Sequence, residues 1–125
     1  MGRRGINSTE LQPPVGPFSH AVKTDSLIYL SGQVGQDPAT GKLIDGDVSA
    51  QTEQIFKNIR SVLHAVDREM INIVKVNVYL TNMNDFKAMN EVFAAQFEKP
   101  YPARTTVAVA ALPLGAIVEM EVVVE

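Results

Sequence analysis

Residues 104–124 decide the fold, and they read RTTVAVAALPLGAIVEMEVVV. Two runs rich in valine, 104–110 and 116–124, predict two β-strands. The segment between them, 111–115, contains a Pro and a Gly and predicts an antiparallel connection. In a simple hairpin about this segment, Arg104 would lie nearer Val123 than Glu119.

The two faces of these predicted strands differ in polarity. Val107 and Val109 alternate with smaller or polar residues in the first strand, and a longer apolar set alternates with acidic residues in the second. We expect the apolar sets to pack against helices, because successive side chains of a strand point to opposite faces. The opposite face then carries Arg104, Thr106, Ala108, Glu119 and Glu121. A half-polar face of this kind suits either solvent or a partner subunit.

Two amphipathic helices are predicted upstream of these strands. Apolar residues recur at three- and four-residue spacing in 49–66 and again in 84–98. Asp47 or Ser49 can cap the start of the first helix, and Pro100 follows the end of the second. Both helices therefore have one face suited to packing on a sheet.

The remaining strands complete a mixed sheet. The β-branched and apolar content of residues 27–31 and 73–80 predicts two strands. Residues 36–41 predict a turn, after which residues 42–44 would form a short strand that runs back along the sheet. The order of elements predicts one α+β domain, residues 1–125, with two helices on one face of a mixed sheet.

The bulk composition bounds the class of protein. The chain of 125 residues fits one domain, and without cysteine it has no disulfide framework, thiol nucleophile or thiolate metal site. A net charge of −3 disfavours nucleic acid as a partner, because phosphate affinity comes from clustered Lys and Arg. No signal peptide or spanning apolar stretch is visible, so we expect a cytoplasmic protein without a membrane partner.

Two apparent site motifs do not meet the requirements of their chemistry. Residues 35–42, GQDPATGK, have one residue too many between the glycines of a phosphate loop, and Leu43 stands where Ser or Thr would hold magnesium. His20 and His64 lie far apart and lack the spacing of a metal-binding pair, so no metal site is expected. His64 falls opposite the apolar stripe of its helix and is predicted to be solvated.

Arg104 is the most informative single residue, since it begins a strand directly after a Pro-rich connection. Taken alone, it is a surface side chain or a salt-bridge partner of Glu119 or Glu121. Two other segments favour a binding site. Residues 16–22, GPFSHAV, form a rigid turn, and residues 31–34, SGQV, end a strand with a glycine that lets another group approach the backbone.

Taken together, these segments resemble the Rid (YjgF) family of imine deaminases, in particular the 2-iminobutanoate/2-iminopropanoate deaminase branch. The resemblance extends over residues 16–121. It lies in GPFSHAV at 16–22, SGQV at 31–34, NDF at 84–86, MNEVF at 89–93, PAR at 102–104, AALPLGA at 110–116 and VEME at 118–121. Any one of these segments would be a weak signal, whereas all of them in family order and spacing make a specific one.

The resemblance implies a chorismate-mutase-like α+β fold. Three copies would place their sheets side by side as a barrel with the helices outside, so trimer contacts would cover the second sheet face. Ligand sites would lie in the clefts between subunits. The implied activity is hydrolysis of 2-imino acids, reactive products of amino-acid dehydratases, to 2-oxo acids and ammonia.

The resemblance also implies roles for two charged residues. Arg104 would bind the substrate carboxylate, because guanidinium presents two parallel N–H donors that match a carboxylate. Glu119 would orient or deprotonate the attacking water and help to pass its proton to nitrogen. No cofactor is expected, because imines react readily with water and the enzyme mainly supplies positioning.

Three further residues match cleft positions of the family. Thr106 matches the position whose backbone carbonyl contacts the ligand in relatives. Ser31 and Gly32 match the residues that border the cleft.

Three positions depart from the family pattern. Phe18 matches the aromatic residue that closes the cleft, usually Tyr, and lacks the phenol hydroxyl. Thr105 stands where Ser is more usual, and His20 where Gln is more usual. Two alternatives to imine hydrolysis stay open: a non-catalytic trimer that binds or senses a 2-oxo acid, and an RNA-cleaving translation inhibitor, which the net charge disfavours.

Overall fold

A computed structural model describes residues 2–125 and shows a single-domain α+β fold with one mixed, six-stranded sheet. Two α-helices accompany the sheet, α1 (Val48–Ala65) and α2 (Phe86–Ala95). The strands are β1 (Arg4–Ile6), β2 (Ala21–Lys23), β3 (Ile28–Gln33), β4 (Ile73–Leu80), β5 (Ala103–Ala108) and β6 (Val118–Val124). The predicted α+β class, with one mixed sheet and two helices, is confirmed; the trimeric barrel stays a prediction.

The strands lie in the order β1-β2-β3-β6-β4-β5, which makes β5 an edge strand. β4 pairs with β5 in parallel and with β6 in antiparallel orientation. β5 and β6 run in opposite directions, as the predicted antiparallel connection requires, but they do not form a simple hairpin, because β4 lies between them. Their connection wraps around the end of β4, where Val109 donates to the Leu80 carbonyl and Thr81 donates to the Ile117 carbonyl.

The turn within this connection explains how the chain crosses the end of β4. The Ala116 amide donates to the Pro113 carbonyl at 3.0 Å and closes a tight turn, in which Leu114 has φ 60° and Gly115 has φ 71°. Left-handed backbone at two successive positions reverses the chain in a loop, so β6 enters the sheet on the far side of β4.

The first helix agrees closely with the helix predicted from the sequence. The Asp47 carboxylate accepts a hydrogen bond from the Ala50 amide and caps α1. Its apolar stripe is buried, including Ile55, Ile59 and Val62. Within residues 2–125, no helix combines the length and apolar character needed to cross a membrane.

The second helix is shorter than predicted, because residues Met83–Asp85 form a 3₁₀ turn and the helix ends before Gln96. Phe97 lies beyond its end and still packs on the core. Its ring centroid lies 5.7 Å from that of Phe56 and 5.0 Å from that of Phe93, which joins the two helices through aromatic contacts.

Both helices cover the same face of the sheet. The strand residues beneath them are fully or nearly fully buried: Val76, Val78, Leu80, Val118, Met120, Val122 and Val124. Complete burial of each such side chain contributes about 1.5–3 kcal/mol. The opposite face, called the open face below, carries the alternating residues of the same strands, such as Asn77 and Tyr79 on β4 and Glu119 and Glu121 on β6.

The predicted faces of β5 are reversed in the structure. The parallel register pairs Arg104 with Val76 and Thr106 with Val78, so both side chains lie on the helix-covered face. Val107 lies on the open face and is 42% exposed. The faces predicted from alternating polarity are wrong for this strand, because its helix-covered side accommodates a guanidinium and a hydroxyl group.

The short strands at the start of the chain were only partly predictable. β1 and β2 contain three residues each, too few to display an alternating pattern. The expected strand at 42–44 is wrong, since the structure has a single bridge there, between Gln36 and Leu43.

Candidate functional site

Arg104 lies on the edge strand β5 and packs against α2. Its guanidinium carbon lies 4.7 Å from the ring centroid of Phe93 and 5.5 Å from that of Phe86. Its Nη1 donates a hydrogen bond of 2.7 Å to the Asn90 carbonyl oxygen. Two aromatic faces and one amide therefore fix the position of a charged group at an open edge of the sheet.

The charge of Arg104 is not neutralised within the chain. Among residues 2–125, no carboxylate forms an ion pair with it, so the interpretation of Arg104 as a salt-bridge partner of Glu119 or Glu121 is wrong. Burial lowers the pKa of the guanidinium from its ordinary value, which is far above neutrality. A single hydrogen bond to Asn90 leaves most of the guanidinium donors free for an anionic ligand.

Thr106 lies two residues further along the same face. Its hydroxyl oxygen is buried and has no hydrogen-bond partner within the part of the chain that the structure describes. Because Val109 directs its amide toward β4, the alternation along the strand turns the backbone polar groups of Thr106 toward the open edge. A ligand at this edge can therefore reach the Thr106 carbonyl. Arg104, Thr106, Asn90, Phe86 and Phe93 are together called the arginine half-site.

Glu119 lies on the open face of β6, directly over the backbone of Gly32. A Cβ atom at position 32 would lie 2.5 Å from the Glu119 Oε2 atom and 3.0 Å from its Cδ atom. Only glycine leaves room for the carboxylate in this position. Burial raises the pKa of the Glu119 carboxyl, and the nearby charge of Glu121 raises it further.

Phe18 and Ser31 lie close to this glycine. Phe18, which is 51% exposed, lines with Gly32 a small hollow of about 90 Å³. The Ser31 hydroxyl donates to the Ser19 carbonyl at 2.7 Å, and the Ser31 amide donates to the His20 carbonyl at 2.9 Å. These bonds hold the segment that carries Phe18 against β3. Phe18, Ser31, Gly32 and Glu119 are together called the glutamate half-site.

The two histidines lie in contrasting environments. His20 is buried, its Nδ1 accepts from the Ser8 amide at 3.0 Å, and its Nε2 lies 3.0 Å from the Gln12 carbonyl, to which it donates. It thus attaches the N-terminal segment to the sheet. His64 is exposed, as predicted, and its Nδ1 lies 3.5 Å from the Glu10 carboxylate.

The structure brings the predicted site residues together in two groups, and it separates their two charged members. Arg104 pairs with Val76 and Glu119 pairs with Tyr79. Positions 76 and 79 are an odd number of residues apart on β4, so Arg104 and Glu119 lie on opposite faces of one sheet. One copy of the chain therefore does not direct both groups at a common ligand.

The residues that hold Arg104 were not predicted from the sequence. Phe86, Asn90 and Phe93 follow one another at intervals of four and three residues, so they share one side of α2. The two phenylalanines were expected only as core residues. The available signal was Asn90, a polar residue within an apolar helical stripe.

The fold defines the class of this protein: a single α+β domain with two helices covering one face of a mixed sheet. The family model described as Endoribonuclease L-PSP matches residues 9–125. The chain therefore belongs to this family, which is the Rid (YjgF) family.

Named relatives match over nearly the whole chain. A 2-iminobutanoate/2-iminopropanoate deaminase of Dermatophagoides farinae is 42% identical over 125 residues, covering 99% of this chain and 98% of the relative. The human protein of the same name is 40% identical over 121 residues, covering 97% of this chain and 88% of its own length. The crystal structure of RidA from the Antarctic bacterium Psychrobacter superposes with a TM-score of 0.92 at 44% identity, covering 98% of each chain.

Proposed function

We propose that the protein hydrolyses 2-imino acids to 2-oxo acids and ammonia without a cofactor, in clefts formed between copies of the chain. The observation that carries this proposal is the unneutralised Arg104 guanidinium, held by Asn90 and two aromatic rings at an open sheet edge. The relatives named as 2-iminobutanoate/2-iminopropanoate deaminases support the choice of reaction.

Arg104 binds the carboxylate of the substrate in this proposal. One Nη1 hydrogen is already donated to Asn90, and the remaining donors can form a fork with both carboxylate oxygens. The Thr106 carbonyl at the same edge can accept a hydrogen bond from the imine N–H group. The imine carbon is thereby held at a fixed distance from the sheet edge, where water can reach it.

Glu119 serves as the proton acceptor for the attacking water. As the water oxygen bonds to the imine carbon, one water proton passes to Glu119 and the C=N π electrons move to nitrogen. Glu119 then gives that same proton to nitrogen and returns to its starting state, which leaves a carbinolamine. The carbinolamine transfers its hydroxyl proton to nitrogen, the C–N bond breaks, and ammonia leaves as the C=O bond forms.

The proposed site requires an assembly of several copies. Arg104 lies on the helix-covered face at the edge strand, whereas Glu119 lies on the open face, so an adjacent copy must supply one of them. The open face also exposes apolar side chains, including Tyr29 at 48% and Val107 at 42%. A trimer whose sheets form a barrel would cover this face and bring Arg104 of one copy to Glu119 of the next.

A coupled assay tests the proposed reaction. An amino-acid oxidase generates the 2-imino acid from several amino-acid precursors, and the 2-oxo acid is followed with and without micromolar protein. The protein is expected to accelerate release, and Arg104→Ala is expected to abolish the acceleration. Arg3→Ala is a matched control, because Arg3 is an exposed arginine near the chain terminus. Release that is unchanged by the wild-type protein would overturn the proposal.

Two further measurements, of 2-oxo acid binding and of RNA cleavage, separate the two alternatives. Binding of a 2-oxo acid without any acceleration of imine hydrolysis would indicate a binding or sensing protein, consistent with phenylalanine at position 18. RNA cleavage that vanishes in Arg104→Ala would indicate the nuclease activity to which the family description refers. A cytoplasmic location stays a prediction, which cell fractionation can test.

A further inference from the structure

A polar cluster on the open face lies beside Glu119 and has no role in the proposed reaction. It consists of Asn77 and Tyr79 on β4 and Glu121 on β6. The antiparallel register places Tyr79 opposite Glu119 and Asn77 opposite Glu121. Four polar side chains therefore occupy two neighbouring cross-strand positions on one face.

The hydrogen bonds in this cluster converge on Glu121. Tyr79 does not bond to Glu119, the residue opposite it, but reaches diagonally and donates its hydroxyl to Glu121 Oε1. The Asn77 amide donates to the same oxygen at 3.3 Å. Two donors on one oxygen hold the Glu121 carboxylate in one orientation.

Glu121 thus places a fixed negative charge near Glu119. The two residues are next-but-one neighbours on a strand, so their Cα atoms lie roughly 6.6 Å apart and their side chains point to the same face. Glu121 raises the pKa of Tyr79 and the pKa of Glu119. The open face also carries Lys75 on β4, beyond Asn77, and Tyr29 on β3, whereas Gly32 and Ser31 next to Glu119 carry no charge.

We infer that Glu121, held by Tyr79 and Asn77, is a positioning residue whose fixed charge makes Glu119 a stronger proton acceptor for the attacking water. The inference rests on the proposed function for its catalytic meaning. In the proposed cleft, Arg104 of an adjacent copy would bring a positive charge toward Glu119. The negative charge of Glu121 offsets that effect, so that Glu119 keeps a high affinity for the proton.

The decisive variant is Glu121→Gln, which removes the charge and keeps an oxygen that can accept from Tyr79 and Asn77. The pKa of Glu119 is followed by carbon NMR of labelled glutamate carboxyls, with the resonance assigned by its loss in Glu119→Gln. We expect the Glu119 midpoint to move to lower pH in Glu121→Gln. The control Glu53→Gln removes an exposed carboxylate from α1 and should leave the midpoint unchanged.

The tyrosine provides a second, activity-independent measurement. The hydrogen bond to Glu121 raises the pKa of the Tyr79 hydroxyl, ahead of burial and of the acidic charges. Ultraviolet titration, with Tyr79→Phe used to assign the signal, should therefore show Tyr79 ionising at lower pH in Glu121→Gln. An unchanged ionisation in a variant that thermal melting shows to be folded would contradict the coupling of Tyr79 to Glu121 on which the inference depends.

Kinetics then connect the cluster to the reaction. In Glu121→Gln, the acid limb of the kcat/KM profile should move to lower pH and the plateau should fall. In Tyr79→Phe, kcat should fall while KM is preserved, and the double variant should lose little more than Glu121→Gln alone.

A Glu119 midpoint that is the same in wild type and Glu121→Gln would overturn the inference. Absence of wild-type activity would instead overturn the proposed function, and the titration would still decide the electrostatic coupling.

Discussion

Arg104 and Glu119 lie on opposite faces of the same sheet, although the family resemblance assigns them to one site. The register of β4 with its two neighbours establishes this, because Arg104 pairs with the buried Val76 and Glu119 pairs with the open-face Tyr79. Each residue is also positioned independently, Arg104 by α2 and Glu119 by Gly32. The site that we propose, which contains both residues, would therefore need two copies of the chain.

Replacing Arg104 with lysine tests the carboxylate fork. Lysine keeps the positive charge but cannot form two parallel hydrogen bonds, and it does not stack on Phe93 as guanidinium does. We expect the Kd for a 2-oxo acid, measured by calorimetry, to rise about ten- to a hundredfold in Arg104→Lys. Arg3→Lys is the control, and equal affinity in Arg104→Lys and wild type would show that charge alone suffices.

Thr106→Val tests whether a ligand contacts the backbone carbonyl or the side-chain hydroxyl of this residue. The buried Thr106 hydroxyl lacks a partner within residues 2–125, so valine of nearly the same shape removes an unsatisfied group. We expect the free energy of unfolding to stay equal or rise by up to about 1 kcal/mol. The Kd for a 2-oxo acid should not change, because the proposed contact is the carbonyl; a weaker complex would assign the contact to the hydroxyl.

Gly32→Ala tests the placement of the Glu119 carboxylate. The added methyl group would lie 2.5 Å from Oε2, and the flexible glutamate side chain would have to move away. We expect kcat to fall about tenfold or more, since a displaced base loses part of its contribution, while the melting temperature changes little. Gly2→Ala is the matched control, because nothing lies within 4 Å of a Cβ atom there. Full activity in Gly32→Ala would show that Glu119 does not act from this position.

Ionisation of Glu119 should also change the free energy of unfolding with pH. Its pKa is raised in the folded protein by burial and by the charge of Glu121, so the unfolded chain releases this proton more readily as pH increases. At low pH, protonated Glu119 and glutamine are both neutral. As pH rises through the folded pKa, wild type should lose stability relative to Glu119→Gln, measured by urea unfolding. A difference that is constant with pH would contradict the raised pKa.

Much of the fold could be predicted, because each helix and strand buries one face and that burial appears in the sequence as a periodic pattern of apolar residues. The limits of β4 were predicted as residues 73–80, and those of α1 differ by one residue at each end. The position of β5 could not be predicted from alternation. Whether β5 pairs with β6 or crosses beyond β4 depends on the turn at Pro113–Gly115 and on packing under α2, which are tertiary effects.

The sequence indicated the candidate site residues but not how the fold arranges them. Motif spacing selected Arg104, Glu119 and Gly32, and the structure gives a physical reason for the glycine. The sequence did not indicate that Arg104 faces α2, because an arginine on an apolar face becomes reasonable only when Asn90 and aromatic rings meet it there. The cluster around Glu121 depends on cross-strand register, which no local pattern contains.

A mixed assembly of two inactive variants tests the requirement for two copies most directly. Arg104→Ala and Glu119→Gln are co-expressed with different tags, and assemblies that carry both tags are purified and assayed. In a closed ring of three copies, about one-third of the sites then combine a native Arg104 with a native Glu119, so activity should return to about one-third of the wild-type value. Mixed assemblies that are no more active than either variant alone would contradict a site shared between copies.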